Sequence, residues 1–550
     1  MAATPAAAPH SARWLILAVL ATGQMLVMLD VSIVNTAIPA IARSFQASSS
    51  TLQWIVDSYA LLFAGLLLLS GALGDRFGRR RLLGLGLLVF IAASIGASLS
   101  NSATMLIMMR GVQGVGAAMA MPQTLSILTA VFPREERSRA LGLWTAALGL
   151  GTAGGPLVGG ALVDAIDWSA VFWVPAPVAA LAFLGLRIVP ESRSEGQHKL
   201  DLPGAALGTI AMIALVYGVI EGHGAGWASA EIIAAFGIAG GTAVAFLFVE
   251  SRAESPIVPL KFFRSRDFNG SLVVLFLTFF ALLSVMFFLS QYFQLVQGHS
   301  AFQSGLRLLP TAIALMVTAP IAGRLIPVLG PKILIAVAMA SAVGVLAFLT
   351  QLDVSTPYWQ IGIALGLFGM GGGLAMPTVT DTTMAAVPVN EAGRASGVSN
   401  AGRQLGGAIG IAALGTVAAS LYTSTVSDGL TGLLPAALVD QVADGIGAAA
   451  VVARGLDAET ASLVLGASQP AFVDAITTVF LIGSVFMGLA LVATLVLIPL
   501  RQRTTQMSDS ELLGRERPLP TSGVPRRALE MGLARSSPQK VGEIAIVHGD

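Results

Sequence analysis

About fourteen stretches of roughly twenty apolar residues recur along this chain, separated by short polar or basic segments. A helix of that length rises about 30 Å, the thickness of a bilayer's hydrocarbon core. In lipid every backbone N–H and C=O must find its partner inside the protein, so only helices or a closed barrel can span. Barrel strands would be about ten residues long and would alternate in polarity; these runs are longer and do not. Only 11% of the 550 residues are charged and 55% are hydrophobic, against roughly 25% charged in soluble domains. The chain therefore reads as an all-α integral membrane protein, with the lipid bilayer as its first partner.

The runs group into domains. Residues 1–13 are an N-terminal segment, 14–189 a six-helix bundle, 190–268 a linker region with two extra helices, and 269–499 a second six-helix bundle. The second bundle contains an outside loop at 421–472 with short amphipathic pieces, between spans expected at 395–420 and 473–499. Residues 500–550 are rich in Ser, Arg and Pro and are expected to be a disordered tail. The first apolar run, 14–37, is longer than a signal-peptide core and lacks a clear cleavage site. Lys and Arg cluster in alternate loops: Arg76 with Arg79, Arg80 and Arg81; Arg134 with Arg137 and Arg139; Lys261 with Arg264 and Arg266. That bias predicts a cytoplasmic location for those loops and for both termini.

The chain also resembles itself. Ala120-Met121-Pro122 recurs as Ala375-Met376-Pro377, Pro133 as Pro388, Glu136 as Glu391, and Arg139-Ala140 as Arg394-Ala395, all at one fixed offset. Gly142, Gly151 and Gly155 recur as Gly397, Gly406 and Gly410 at that same offset. A second match joins Gly71, Gly78 and Arg80 to Gly323, Gly330 and Lys332. Two pseudo-symmetric six-helix bundles plus two extra central helices predict a transporter with a midplane site between halves that rock against each other.

Three ionisable residues inside the expected spans of the first bundle can be placed by depth: Asp30, Asp57 and Arg110. By depth all three share the outer half of the membrane, where burying a charge is expensive and marks function. A carboxylate there is pulled toward the protonated form by burial and toward the ionised form by a nearby cation. Asp30, with Asp57, is the candidate proton site, and Arg110 the group that biases it toward release. A static ion pair that only orients helices is the competing reading. Residues 151–160 read GTAGGPLVGG, so Gly151, Gly155, Pro156, Gly159 and Gly160 crowd one stretch of a span. Such small and kinking positions suit very close helix contact. Residues 71–81 read GALGDRFGRRR. Here Gly71, Asp75, Arg76, Gly78, Arg79 and Arg80 could latch two bundles, since Asp75 can pair with Arg or sit at a helix N-terminus. A topology-setting basic loop would explain the arginines but not Asp75 or the glycines. Met25, Met28, Gln113 and Arg403 are candidate substrate contacts, although Met on a helix is more often packing.

These motifs together resemble one family. GALGDRFGRRR resembles the cytoplasmic signature of the major facilitator superfamily, and MLDVSIVNTAIP at 28–39 resembles the first-span motif of its fourteen-span drug:proton antiporters. RGVQGVGAA at 110–118, the Gly-rich 151–160 segment, SGLRLLP at 304–310 and NAGRQLGGAIG at 400–410 follow in the order that group shows. The second copy of the latch departs from the pattern, with Pro327 where the first has Asp75.

The resemblance implies a proton-coupled secondary antiporter in the cytoplasmic membrane. It would export lipophilic small molecules such as drugs, dyes and antibiotics, be driven by protons without a cofactor, and work as a monomer. A uniporter or symporter for a small metabolite, and a non-transporting receptor, are the alternatives. Enzyme chemistry finds no support: cysteine is absent and the five histidines are scattered without metal-ligand spacing. None of the four lysines follows a glycine, which excludes a Gly-Lys-[Ser/Thr] phosphate loop and a nucleotide-driven pump. A net charge of +1 gives no reason to invoke nucleic acid.

Overall fold

The computed structural model describes residues 10–45, 49–193, 201–254, 256, 258–388 and 391–500. The expected disordered tail and most of the N-terminal segment lie outside the described residues. Helices dominate. α1 (His10–Phe45), α2 (Ser49–Phe77), α3 (Arg79–Ser98), α4 (Ala103–Val131) and α5 (Arg134–Ala165) precede a broken sixth span, α6 (Ala170–Trp173) and α7 (Pro175–Gly185). Then come α8 (Leu202–Ala225) and α9 (Ala230–Arg252). The second bundle holds α10 (Arg266–Gln291), α11 (Ala301–Leu329), α12 (Pro331–Leu349), α13 (Tyr358–Ala385), α14 (Ala392–Leu430), the short α15 (Ala436–Ala443) and α16 (Ile446–Ala453), and α17 (Ala458–Leu497).

Among the described residues thirteen helices are long and apolar enough to cross a membrane. The expected seventh span, α8, carries only a shorter apolar stretch, Pro203–Val219. Its end runs into Glu221 and a run of glycines, which cuts the apolar length. The expected outside loop is shorter than 421–472. α14 continues to Leu430 and α17 begins at Ala458, so helix covers much of 421–472. At 1.5 Å per residue the 40 residues of α17 extend about 60 Å, twice the hydrocarbon core. Hydropathy locates the membrane portion of such a helix, not an extension of mixed polarity. The loop between them is folded onto the bundle. Tyr422 donates to the Val442 carbonyl, 3.1 Å, and Thr423 to that of Ala443, 2.8 Å, while Val442 and Ile446 join the core of the second half.

The packing repeats as the sequence does. α1 lies on α5 as α10 lies on α14, α2 on α4 as α11 on α13, and α3 on α4 as α12 on α13. One buried apolar core lies within the second half, and another, centred on the first half, also takes in Phe268, Met384 and Ala395 of the second. The halves meet along two seams, α5 with α11 and α2 with α14. The repeat makes these one contact used twice. Gly71 on α2 faces Gly393 on α14, where an added Cβ would lie 2.5 Å from the Gly393 carbonyl oxygen. Their counterparts, Gly323 on α11 and Ser138 on α5, meet in the same way. α8 covers the α2–α14 seam: Met212 and Val216 pack with Ala64 of α2 and Ala401 of α14.

Candidate functional site

Asp30 on α1 and Arg110 on α4 form a sealed ion pair, Nη1 to Oδ2 at 2.7 Å, with 0% and 1% side-chain exposure. The same Nη1 donates to Gln113 Oε1 at 2.8 Å, and Arg110 Nε to the Ile55 carbonyl of α2 at 3.2 Å. Gln113 Nε2 in turn donates to Asp30 Oδ1, 3.3 Å, and to Ser94 Oγ on α3, 2.7 Å. Four helices thus converge on one charge pair. The guanidinium carbon also lies 4.4 Å from the centroid of the Tyr59 ring, a favourable place for a desolvated cation. Asp57 stands two residues beyond Ile55 on α2, with its side chain half-buried. Gln113, a candidate substrate contact, has both its amide atoms hydrogen-bonded within this cluster. Ser94 carries no sequence signal, because a serine in a span usually bonds only to its own helix.

The Gly-rich stretch of α5 lies against this cluster's helix. An added Cβ on Gly151 would come within 2.5 Å of the Met25 carbonyl and 2.9 Å of Met28 Cβ, and one on Gly155 would strike Ser32. Ser32 Oγ donates to the Gly151 carbonyl, 3.1 Å. The backbones of α1 and α5 therefore touch on both sides of Asp30. Gly160 faces elsewhere: its Cβ would meet Phe302 of α11, 3.2 Å away. Gly159 is buried, and the side chain of Pro156 lies outside the described residues. Gly151 and Gly155 against α1 recur as Gly406 and Gly410 against Phe276 and Phe280 of α10.

At the basic end of the bundle, Asp75 ties α2 to α14. Its Oδ1 accepts from Gly393 N at 3.2 Å and its Oδ2 from Arg394 N at 3.0 Å. These are free amides of the first turn of α14, whose own N-cap residue Glu391 supplies no side-chain cap. Oδ1 also accepts two bonds from Arg79, 2.9 Å from Nε and 2.7 Å from Nη2. Gly78 has φ +108° at the α2–α3 corner, a backbone that glycine adopts freely. There Arg80 N donates to Glu191 at 3.0 Å. Arg76 is exposed, its guanidinium over the Phe77 ring.

The second seam lacks Asp75's counterpart, since Pro327 stands there. It uses another acid instead: Ser138 Oγ of α5 donates to Asp381 Oδ2 of α13 at 2.8 Å, both groups buried. Sequence reasoning missed this pair because neither residue is in a motif. Glu136 and Glu391, which match in the repeat, are each held by a basic residue at the start of their half, Arg13 at 3.3 Å and Lys261 at 2.7 Å.

Between the halves, Met28, Leu148, Phe279, Leu315 and Met376 form an apolar cluster drawn from five helices. Arg403 of α14 stands beside Phe279 and Trp144. Met25 is half-buried on α1, with its carbonyl against Gly151.

Comparison with known proteins gives a consistent family. Residues 20–411 match the family model described as Major Facilitator Superfamily. The multidrug resistance protein Stp of Mycobacterium tuberculosis is 36% identical over 416 residues, covering 75% of this chain and 77% of that protein. The puromycin resistance protein pur8 of Streptomyces alboniger is 36% identical over 461 residues, covering 83% and 91%. In fold, the proton:xylose symporter XylE is similar with a TM-score of 0.56 at 14% identity, covering 87% of this chain and 95% of that one.

Proposed function

The chain belongs to the major facilitator superfamily, and on that premise we propose that it is a multi-pass exporter of lipophilic small molecules, drugs and antibiotics among them, driven by the proton gradient. The relatives named above support the export reading, being multidrug and puromycin resistance proteins. It is a transporter rather than an enzyme, needs no cofactor beyond protons, and works as a monomer in the cytoplasmic membrane with both termini inside.

One observation carries the coupling: the sealed Asp30–Arg110–Gln113 cluster lies on the helix against which the α5 glycines pack. Protonating Asp30 removes the negative partner of a buried arginine. The guanidinium is then left with an amide, a carbonyl and a ring, a poorer solvation for a cation. The packing of α1, α4 and α5 must respond, and the close glycine contact lets α1 shift against α5. In this reading Asp57 passes protons between the cluster and the outer face, and Gln113 positions the pair. Asp75 and Arg79 hold the cytoplasmic side closed while the site faces outward.

The test is an everted-vesicle assay with an imposed pH gradient and a panel of cationic, neutral and anionic compounds. Compound-triggered proton efflux is expected from the native chain and not from Asp30→Asn. Undiminished coupled transport by that variant overturns the assignment.

A further inference from the structure

Arg403 is buried, as Arg110 is, but is not paired like it. The side chain is 5% exposed. Its Nη2 donates to Asn400 Oδ1, a neutral amide one turn back on α14, and its Nε has no partner. Among the described residues no carboxylate pairs with it. Its other neighbours are two ring faces, Trp144 of α5 and Phe279 of α10, with centroids 5.9 and 5.8 Å from the guanidinium carbon. Trp144 comes from one half and Phe279 from the other, so the cation lies on the boundary between them. Phe279 is also part of the apolar cluster of Met28, Leu148, Leu315 and Met376.

An arginine cannot escape burial by losing its proton. Left among rings and methyl groups it retains a strong demand for an acceptor oxygen. Asp30 makes no such demand, because Arg110 already neutralises it at 2.7 Å. The electrostatic preference of the central cluster is therefore set by Arg403. Two other buried polar groups, close in sequence to these residues, also lack hydrogen-bond partners. Both amide atoms of Gln24, one turn before Met28 on α1, are unbonded, as is the hydroxyl of Thr145, next to Trp144.

The geometry points to Arg403 as the residue that selects the substrate class: lipophilic molecules whose ring-bearing apolar body lodges against the methionine and leucine cluster, and whose anionic oxygen (carboxylate, sulfonate, phenolate or enolate) docks on the guanidinium. This rests on the export reading, which leaves substrate charge open. The Trp144 and Phe279 rings, one from each half, favour the cation, and its unpartnered Nε is available to donate to an anionic oxygen. Asn400 fixes its orientation from one nitrogen.

The test uses two probes with one ring system. 1-Anilinonaphthalene-8-sulfonate carries an anionic group, and N-phenyl-1-naphthylamine is the same body without it. Binding of each to the full chain in phosphatidylcholine nanodiscs is measured against empty discs. Arg403→Gln should weaken the sulfonate about ten- to a hundredfold, the range for a lost charge-assisted hydrogen bond, and leave the neutral probe within about twofold. Equal loss of both probes, or loss of neither, overturns the proposal. If Arg403→Gln does not fold, Arg403→Lys decides: it keeps the charge but loses the fork, so the sulfonate should weaken and the neutral probe should not. An unchanged sulfonate affinity in that variant overturns it. Displacement of the sulfonate by phosphatidylglycerol in the discs would assign the site to a lipid headgroup and also overturn it. Because binding needs no gradient, failure of the export reading would leave this selectivity intact and show itself only in vesicles.

Discussion

Asp75 and Gly393 lie 318 residues apart in sequence, yet the carboxylate of one accepts the backbone amide of the other at 3.2 Å. A side chain of one half thereby caps a helix of the other. Where a helix N-terminus lacks its own capping group, a carboxylate gains both the free amides and the favourable end of the helix dipole. Arg79 completes the arrangement by donating to the same Oδ1 that accepts from Gly393. The contact can exist only while the ends of α2 and α14 are together, so it responds to any movement between the halves.

Asp75→Ala removes the cap and the carboxylate to which Arg79 donates. The cap is worth about 1 kcal/mol, and removing one member of a buried ion pair costs about 3–5 kcal/mol. The seam should open at that end. The chain has no cysteine, so spin labels at Arg81→Cys and Val328→Cys, both exposed and one on each half, report the separation directly. Asp75→Ala should lengthen or broaden that distance distribution; an unchanged distribution would show that the cap does not hold the seam.

Gly71 and Gly323 are the two copies of one contact, and both meet backbone rather than a movable side chain. Gly71→Ala and Gly323→Ala should each impose about 1–3 kcal/mol of overpacking at the seam and slow transport to similar extents. Gly344, with nothing within 4 Å of an added Cβ, is the control. Gly344→Ala should leave transport intact and raise thermal stability slightly, by about 0.5–1 kcal/mol from the glycine entropy term. Dissimilar effects at Gly71 and Gly323 would refute their equivalence.

Ser138 and Asp381 join the halves at the seam that lacks Asp75's counterpart. A hydrogen bond to a charged group contributes about 1.5–3 kcal/mol. A double-mutant cycle with Ser138→Ala and Asp381→Asn, read by thermal unfolding in detergent, should return a coupling energy of that order. Strict additivity would mean that the 2.8 Å contact carries no energy.

Asp457 starts α17 by accepting from Thr460 N at 3.0 Å and Thr460 Oγ1 at 2.7 Å. The Thr460 amide and hydroxyl hold its carboxyl below the ordinary carboxylate range. A depressed folded-state pKa stabilises only above the unfolded value, about 3.9, and the gain is lost as pH falls through the folded value. The hydrogen-exchange protection factor of the first turn of α17, taken against the intrinsic amide rate at each pH, should therefore be steady near neutrality and fall on acidification below pH ~4. Asp457→Asn, which still caps, should lose that pH dependence; if acid loosened it equally, the carboxylate would not be the cause.

The spans, the two halves and the charged cluster were legible because each leaves a mark on composition. Lipid demands apolar length, duplication preserves a fixed offset, and a charge among apolar residues is conspicuous. The latch was legible down to Asp75's two roles, arginine pairing and helix capping, and the structure shows both on one carboxylate. What stayed hidden depends on approach between distant segments. Ser94 and Ser138 are ordinary serines until a helix brings Gln113 or Asp381 beside them. The extended ends of α14 and α17 mix polar and apolar residues, so a search for apolar length stops short of them. Gln113 was readable as polar and buried, but not as spent on Asp30, Arg110 and Ser94.

The Asp30–Arg110 pair allows stability and coupling to be separated. Asp30→Asn alone leaves Arg110 as a buried cation without a carboxylate and should cost about 3–5 kcal/mol in stability. Asp30→Asn with Arg110→Gln removes both charges; because neutral replacement of a buried ion pair is often nearly neutral, the double variant should recover most of that stability. Coupling should not recover, since no titrating group remains at the cluster. Thermal unfolding in detergent reads the first quantity, and compound-triggered proton efflux in everted vesicles the second. A double variant that regains both would make the pair a static brace between α1 and α4. One that regains stability alone identifies Asp30 as the group whose protonation the helices follow.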